Sequence, residues 1–269
     1  MSETIYDFDE LKMYFGEDYW VTNKICIKVP TIGDILEFGD TKFYNMLNLF
    51  CANPTALRLQ LWKGGVDWNK ISDFQLFAQF IVHYFTPKDT YLLFGDLNFS
   101  WFTYIHDNEK DCDLLLYIPR DEDGNIQYNG IDDNSIVIDE LVYQKMIKYL
   151  CTMFNLHFKN EFAKNKATKE AMIWEDEMSF NIAEEKRKKE NYSKSFLLPL
   201  VSAMVNHPGF KYKANELKEI GIVQFMDSVK RLQIYENATA LLGGMYSGFI
   251  DISKDTKLQN QINWLRDLN

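Results

Sequence analysis

The chain has 269 residues, 46% hydrophobic and 25% charged, with a formal net charge of −10. That length can bury the core of one domain or of two small ones. The acidic balance argues against broad, sequence-independent nucleic-acid binding, which needs a basic surface to neutralise phosphates.

Nothing approaches the run of about 20 apolar residues needed to span a membrane, and no membrane partner is expected. The acidic start MSETIYDFDELKMYF has no basic region followed by an apolar one, so it does not read as a signal peptide. The sequons at Asn98, Asn191 and Asn237 then read as chance matches. Cys26, Cys51, Cys112 and Cys151 are scattered, with no CxxC pair. They read as small thiols in a reducing compartment rather than as a zinc site. Aromatic residues make up 15% of the chain, so Phe, Tyr and Trp should carry much of the core.

Residues 25–29, ICIKV, read as a short strand ended by Pro30. Thr31 can cap a helix in which Ile32, Ile35, Leu36, Phe43, Met46, Leu47 and Phe50 keep a helical period, with Gly39 as a break. A second helix is expected from Pro54 to Trp62, ended by Gly64-Gly65. A third follows Ser72 or Asp73, carries Phe74, Leu76, Phe77, Phe80, Ile81 and Tyr84, and ends before Pro87.

The period then changes. Thr90–Phe94, Leu97–Ile105, Asp113–Ile118 and Asn125–Tyr128 read as strands separated by turn-forming stretches, giving an antiparallel sheet across roughly 90–138. From Asp139, a plausible N-cap, the helical period returns through Val142, Met146, Leu150 and Met153-Phe154. Residues 168–190 read as a charged helix with Ile173, Trp174, Met178 and Ile182 as a thin apolar stripe. Between Lys159 and Lys194 nine Lys/Arg face eight Asp/Glu, which suits a solvated helix or linker better than a phosphate-binding patch.

SKSFLLPLVSAMVNH is apolar enough to be a buried helix that Pro199 kinks or starts. Pro208-Gly209 turns the chain, and Asn215 can cap a short ELKEI helix. The last long helix should run from Glu219 to Leu242, with Ile222, Phe225-Met226, Val229, Leu232 and Tyr235 inward and Gly243-Gly244 at its end. A short amphipathic tail, LQNQINWLRDL, follows. The fold class expected is α+β: mainly helical, with a small central antiparallel β-sheet and a C-terminal helical bundle. Two regions are expected, an α+β part over 1–138 and a helical part over 139–269.

Motifs for chemistry are weak. His83, His106, His157 and His207 show no HExxH or paired spacing, so each reads as structural. From Asp111 to Glu140 nine Asp/Glu face one Arg, a local balance of −8. Asp121, Asp123, Asn125 and Asp132 fall at calcium-loop offsets, but Ile126 stands where the loop needs Gly. An acidic hairpin tip, suited to a basic partner, fits better. WKGGVDWNK lacks the spacing of a phosphate-binding loop, and neither GxGxxG nor GxSxG occurs. HPGFKYKANELKEIGIVQFMDSVKRL reads as turns and helix starts, each special residue having a local conformational role. No catalytic residue, metal site or cofactor site is assigned.

Two sets of residues resemble one protein group. TIGDILEFGDTKFYNMLNLFCANPTALRLQLWKGGVDWNKISDFQLF resembles its N-terminal part. LLPLVSAMVNHPGFKYKANEL, IVQFMDSVKRLQ, GMYSGFID and NWLRDL resemble its C-terminal part. The group is that of tail-assembly chaperone-like and tail-morphogenesis proteins of tailed phages of Gram-positive bacteria. The resemblance covers most of the chain through structural motifs, not catalytic ones. It implies a non-enzymatic, cofactor-free protein of the host cell cytoplasm. Its implied partners are phage tail proteins (tape measure, tube or baseplate) or a second copy of itself. A structural part of the virion tail or baseplate, and an enzyme or regulator acting on host machinery, are the alternatives. For partner binding the residues chosen are the aromatics Trp62, Trp68 and Phe74 around WKGGVDWNKISDF, with Tyr246, Phe249 and Trp264 near the C-terminus.

Overall fold

A computed structural model describes residues 5–107, 111–120, 135–190, 195–249 and 255–266. It is α+β and mainly helical, with one three-stranded and one two-stranded antiparallel sheet among the described residues. Helix α1 (Glu10–Tyr14) precedes strands β1 (Tyr19–Trp20) and β2 (Cys26–Ile27), which pair with each other. Helices α2 (Ile32–Phe38) and α3 (Asp40–Phe50) meet at Gly39, whose φ of 94° lies in the region glycine tolerates. Thr31 starts α2 as expected. Its hydroxyl accepts from the Asp34 N–H at 3.1 Å, and the Asp34 carboxylate accepts from the Thr31 N–H at 2.8 Å.

Helix α4 (Arg58–Lys63) is shorter than the expected 54–62, because residues 54–57 form turns. The helix opened by Ser72 is α5 (Asp73–Leu76), which runs on as a π-helical turn (Phe77–Ile81) and a 3-10 turn (Val82–Tyr84). Thr90–Phe94 is not a strand. It belongs to α6 (Pro87–Phe94). The deciding signal is Thr86-Pro87-Lys88-Asp89: proline suits the first helical position, and the Asp89 carboxylate accepts from the Thr86 N–H at 3.2 Å and its hydroxyl at 2.8 Å.

Residues 97–101 form no strand either. Asn98 caps a 3-10 turn (Phe99–Trp101), and the strand begins afterwards as β3 (Phe102–Asp107). Strand β3 pairs with β4 (Cys112–Tyr117), and β4 with β5 (Val137–Asp139). The expected strand Asn125–Tyr128 and the residues at calcium-loop offsets lie outside the described residues.

Asp139 caps α7 (Glu140–Phe154) as expected, accepting from the Val142 N–H at 2.8 Å. Then come α8 (Lys166–Glu190), α9 (Leu197–Val205), α10 (Ile222–Tyr246) and α11 (Thr256–Ile262). Pro199 sits in the first turn of α9 and starts the helix rather than kinking it. Contrary to expectation, α9 is not a buried helix: Leu197 and Met204 are buried, while Phe196, Leu198 and Val205 are exposed. ELKEI forms a 3-10 turn at Leu217–Glu219, and α10 passes through Gly243-Gly244 to Tyr246.

One hydrophobic cluster runs through the molecule. At its centre Phe50 meets Phe77, Phe85, Phe94 and Phe99, with ring centroids 5.0–5.2 Å apart. Helix α7 adds Tyr143 against Phe77 and Phe154 against Phe43. The stretch from Leu217 is tied to the start of α2. The Ile32 N–H donates to the Ile220 carbonyl at 2.9 Å, and the Ile222 N–H to the Pro30 carbonyl at 3.0 Å. Gly33 permits this approach, since a Cβ there would lie 2.7 Å from the Lys218 carbonyl oxygen. HPGFKYKANELKEIG is thus a strap joining α10 to the body.

Candidate functional surfaces

The six aromatics chosen for binding divide into two kinds. Trp68 and Phe74 are 2% and 3% exposed, which corrects their choice as surface residues. Trp68 packs edge-on to Trp62 at 5.9 Å, and the Lys169 ammonium sits 5.6 Å from its ring. Phe74 packs on Tyr143 at 5.6 Å. Trp68 is core because its loop is clamped to the segment leading into α8 and to α8 itself, and Phe74 because α5 packs against α7. Asn69 exchanges two hydrogen bonds with the Ala163 backbone, at 2.7 and 3.3 Å, and Lys169 pairs with Asp67 at 2.5 Å. Trp62 is exposed beside this clamp.

A second clamp was not foreseen. Arg58, on α4, has a buried side chain whose guanidinium takes the Asp176 carboxylate in a two-pronged pair, and it also meets Glu161 at 2.5 Å. The fork geometry of Arg matches such bidentate pairing. Lys63 adds a pair to Glu177 at 2.9 Å. Together these fix the N-terminal half of α8 to the body. No short sequence motif marks the network, since its partners stand more than 100 residues apart.

The C-terminal aromatics are at the surface. Tyr246 and Phe249 are 81% and 88% exposed. Trp264 is 46% exposed and packs edge-on to Tyr235 at 5.9 Å. Arg231 on α10 donates to the Trp264 and Arg266 carbonyls at 3.3 and 2.6 Å, which fastens the chain end to α10. Helix α8 exposes Trp174, Met178 and Ile182, spaced four apart and so on one face, with Phe180 exposed as well. Exposed Phe196 and Leu198 follow at the start of α9. Adjacent apolar exposure of this kind marks interaction surfaces, whereas scattered single residues do not.

His106 and Asp113 lie opposite each other on β3 and β4, and Nδ1 is 2.9 Å from the carboxylate. That hydrogen bond holds the imidazole pKa above its ordinary value and the Asp113 pKa below its own. His207 accepts from the Gly209 N–H at 3.0 Å and pairs with Glu236 at 3.2 Å, a turn-stabilising role. Burial pushes the Cys51 thiol up, and burial with help from Asp18 pushes Cys26 up to about 11. Thiols that hold their protons are poor nucleophiles. Among the described residues no His, Cys, Asp and Glu group could hold a metal, and no helix is long and apolar enough to cross a membrane.

No protein-family model, curated protein or solved structure matches the chain.

Proposed function

We propose that this chain is a non-enzymatic morphogenesis protein of phage tails, a tail-assembly chaperone that binds the tape-measure or tail-tube protein in the host cytoplasm. The observation that carries the binding role is the apolar surface of the C-terminal helices: Trp174, Met178 and Ile182 on one face of α8, then Phe196 and Leu198, then Tyr246 and Phe249. A helix face of this type suits an apolar segment of another protein. The tail assignment draws on the family resemblance of the N- and C-terminal motifs, and the acidic charge suits a carrier that must stay soluble beside aggregation-prone clients.

The test is affinity capture of the tagged protein from infected cells, with mass spectrometry of the captured complex and of purified virions. Capture of tail proteins with the bait missing from virions supports the chaperone. A fixed number of copies in each virion makes the protein a tail component instead. Capture of host proteins alone overturns both.

A further inference from the structure

The face of α8 turned away from the body carries an ordered row of side chains. Lys169, Ile173 and Asp176 are given to the body: Lys169 pairs with Asp67, Asp176 with Arg58, and Ile173 is buried. A helix turns about 100° per residue, so Met178 stands opposite Lys169. The outward row is Glu170, Trp174, Met178, Ile182 and Lys186, each four residues from the next and so forming one ridge. All five are exposed, and Trp174, Met178 and Ile182 are 63, 44 and 51% so. Three large apolar side chains therefore follow one another in water, with a carboxylate at one end and an ammonium at the other. The Glu170 carboxylate has the Lys166 ammonium 3.8 Å away, an exposed pair of little strength.

The order of this row makes it its own complement when reversed. Two copies of α8 laid antiparallel, with a two-fold axis passing beside Met178, set Trp174 against Ile182 of the second copy and Glu170 against Lys186 of the second copy. Each contact then occurs twice, as a two-fold interface requires. A parallel arrangement would instead oppose Glu170 to Glu170 and Lys186 to Lys186. The neighbouring row is Ala171, Glu175, Ser179 and Ala183, exposed and small at three of its four positions. It leaves a groove into which the ridge of a second copy can settle, the packing in which rows spaced by four residues interdigitate and the helices cross at about −50°. The ridge is about 24 Å long at the helical rise.

We propose that α8 is a self-association surface that joins two copies of this chain through antiparallel pairing of the ridge Glu170–Lys186. Trp174, Met178 and Ile182 supply the apolar contact, and the Glu170–Lys186 pairs at the two ends fix the direction. A contact along one helix is smaller than the standard interface of about 800 Å² per partner, so the expected Kd is about 10–100 µM. The proposal does not rest on the tail-assembly reading. Phe196, Leu198, Tyr246 and Phe249 lie off the ridge and stay exposed for another partner.

Sedimentation velocity of the purified full chain tests it across a concentration series of about 1–300 µM, which brackets that Kd. The expected mass rises from 31.7 kDa towards twice that value. Met178→Asp sets two carboxylates against each other across the axis and should weaken association by at least about 100-fold, while its thermal unfolding at the lowest concentration matches the wild type. Glu170→Lys and Lys186→Glu should each weaken it by about tenfold, because each turns two attractive contacts into repulsive ones. The chain carrying both reversals should return to within about threefold of the wild type, since the two ends again oppose unlike charges. These reversals lie at the exposed ends of the ridge and decide the matter even where Met178→Asp disturbs folding. A mass of 31.7 kDa at every concentration, association that Met178→Asp leaves intact in a folded chain, or a double reversal no stronger than the single ones would overturn the proposal. No tail protein is present in this measurement, so its outcome is separate from that of the capture experiment.

Discussion

Phe50 and Phe249 mark the extremes of how this chain places its aromatic rings. Phe50 is fully buried at the end of α3 and touches four other phenylalanines contributed by the π-helical turn, α6 and the segments around it. Phe249 stands at the end of α10 almost wholly in solvent. The same contrast separates the two parts of the molecule. From α2 to α7 most apolar faces of helices and sheet close on one another, and Leu36, Trp62, Phe80, Tyr84, Tyr91 and Leu141 stay exposed. From α8 onwards, α8, α9 and α10 give a few side chains to that core, such as Ile173, Leu197, Met204 and Phe225, and leave others uncovered, while α11 buries none. The first arrangement makes a stable body, and the second leaves apolar surface available to a partner.

The largest effect that tests this contrast is expected at Phe50. Phe50→Ala removes the ring that links α3 to four others, in a region too closely packed to collapse around the gap. It should cost about 3–5 kcal/mol, read as a shift of the urea midpoint at unchanged slope. A cost below about 1 kcal/mol would mean that the ring cluster is not the centre of stability.

Arg58 tests the junction between the two parts. Arg58→Met keeps the stem and removes the guanidinium, which leaves Asp176 and Glu161 close together without their cation. Both carboxylates retain some contact with solvent, so the expected loss is about 1–3 kcal/mol, below that of a fully buried pair. Amide exchange should accelerate in α8 and remain slow in α3 and α7. Uniform acceleration would show that α8 belongs to the same cooperative unit as the body.

The body was also the more legible part of the sequence. The Thr31 cap, a helix start at Ser72 or Asp73, the Asp139 cap and the period of α7 were readable because each is a local signal in the sequence. Thr90–Phe94 misled because a short apolar run fits a strand as well as a helix, and the cap at Thr86 decides between them. The burial of Trp68 and Phe74 was not readable, because their cover comes from α8 and its lead-in, about 100 residues on, and from α7. The exposure of α9 was missed for the converse reason: composition reports how apolar a helix is, not whether anything covers it. Trp62, Tyr246, Phe249 and Trp264 are exposed, as the choice of them for binding requires.

A smaller effect is expected from pH at the sheet. The hydrogen bond to Asp113 raises the His106 pKa in the fold. Its stabilisation is therefore fully present below the unfolded value of about 6.5 and is lost as pH rises through the higher folded value. Asp113 is lowered, first by His106. Its contribution is present above the unfolded value of about 3.9 and is lost as pH falls through the lower folded one. Asp113→Asn should lower the His106 pKa measured by NMR titration. An unchanged His106 titration would show that the pair is not formed in solution.

The smallest effect on stability should come at the C-terminal end, where the largest effect on binding is expected. Phe249→Ala should change stability by less than about 0.5 kcal/mol, the range of surface substitutions away from special contacts. Trp264→Ala removes the edge contact with Tyr235 but leaves the Arg231 hydrogen bonds to backbone carbonyls, so the thermal midpoint should barely move. If these rings bind a partner, each variant should recover much less of it in affinity capture while unfolding like the wild type. A fall in Trp264→Ala stability comparable to that of a core substitution would assign the ring to folding instead. The contrast between body and C-terminal helices would then shrink to α8, where Met178→Asp repeats the test on a face that carries Trp174 and Ile182 as its neighbours.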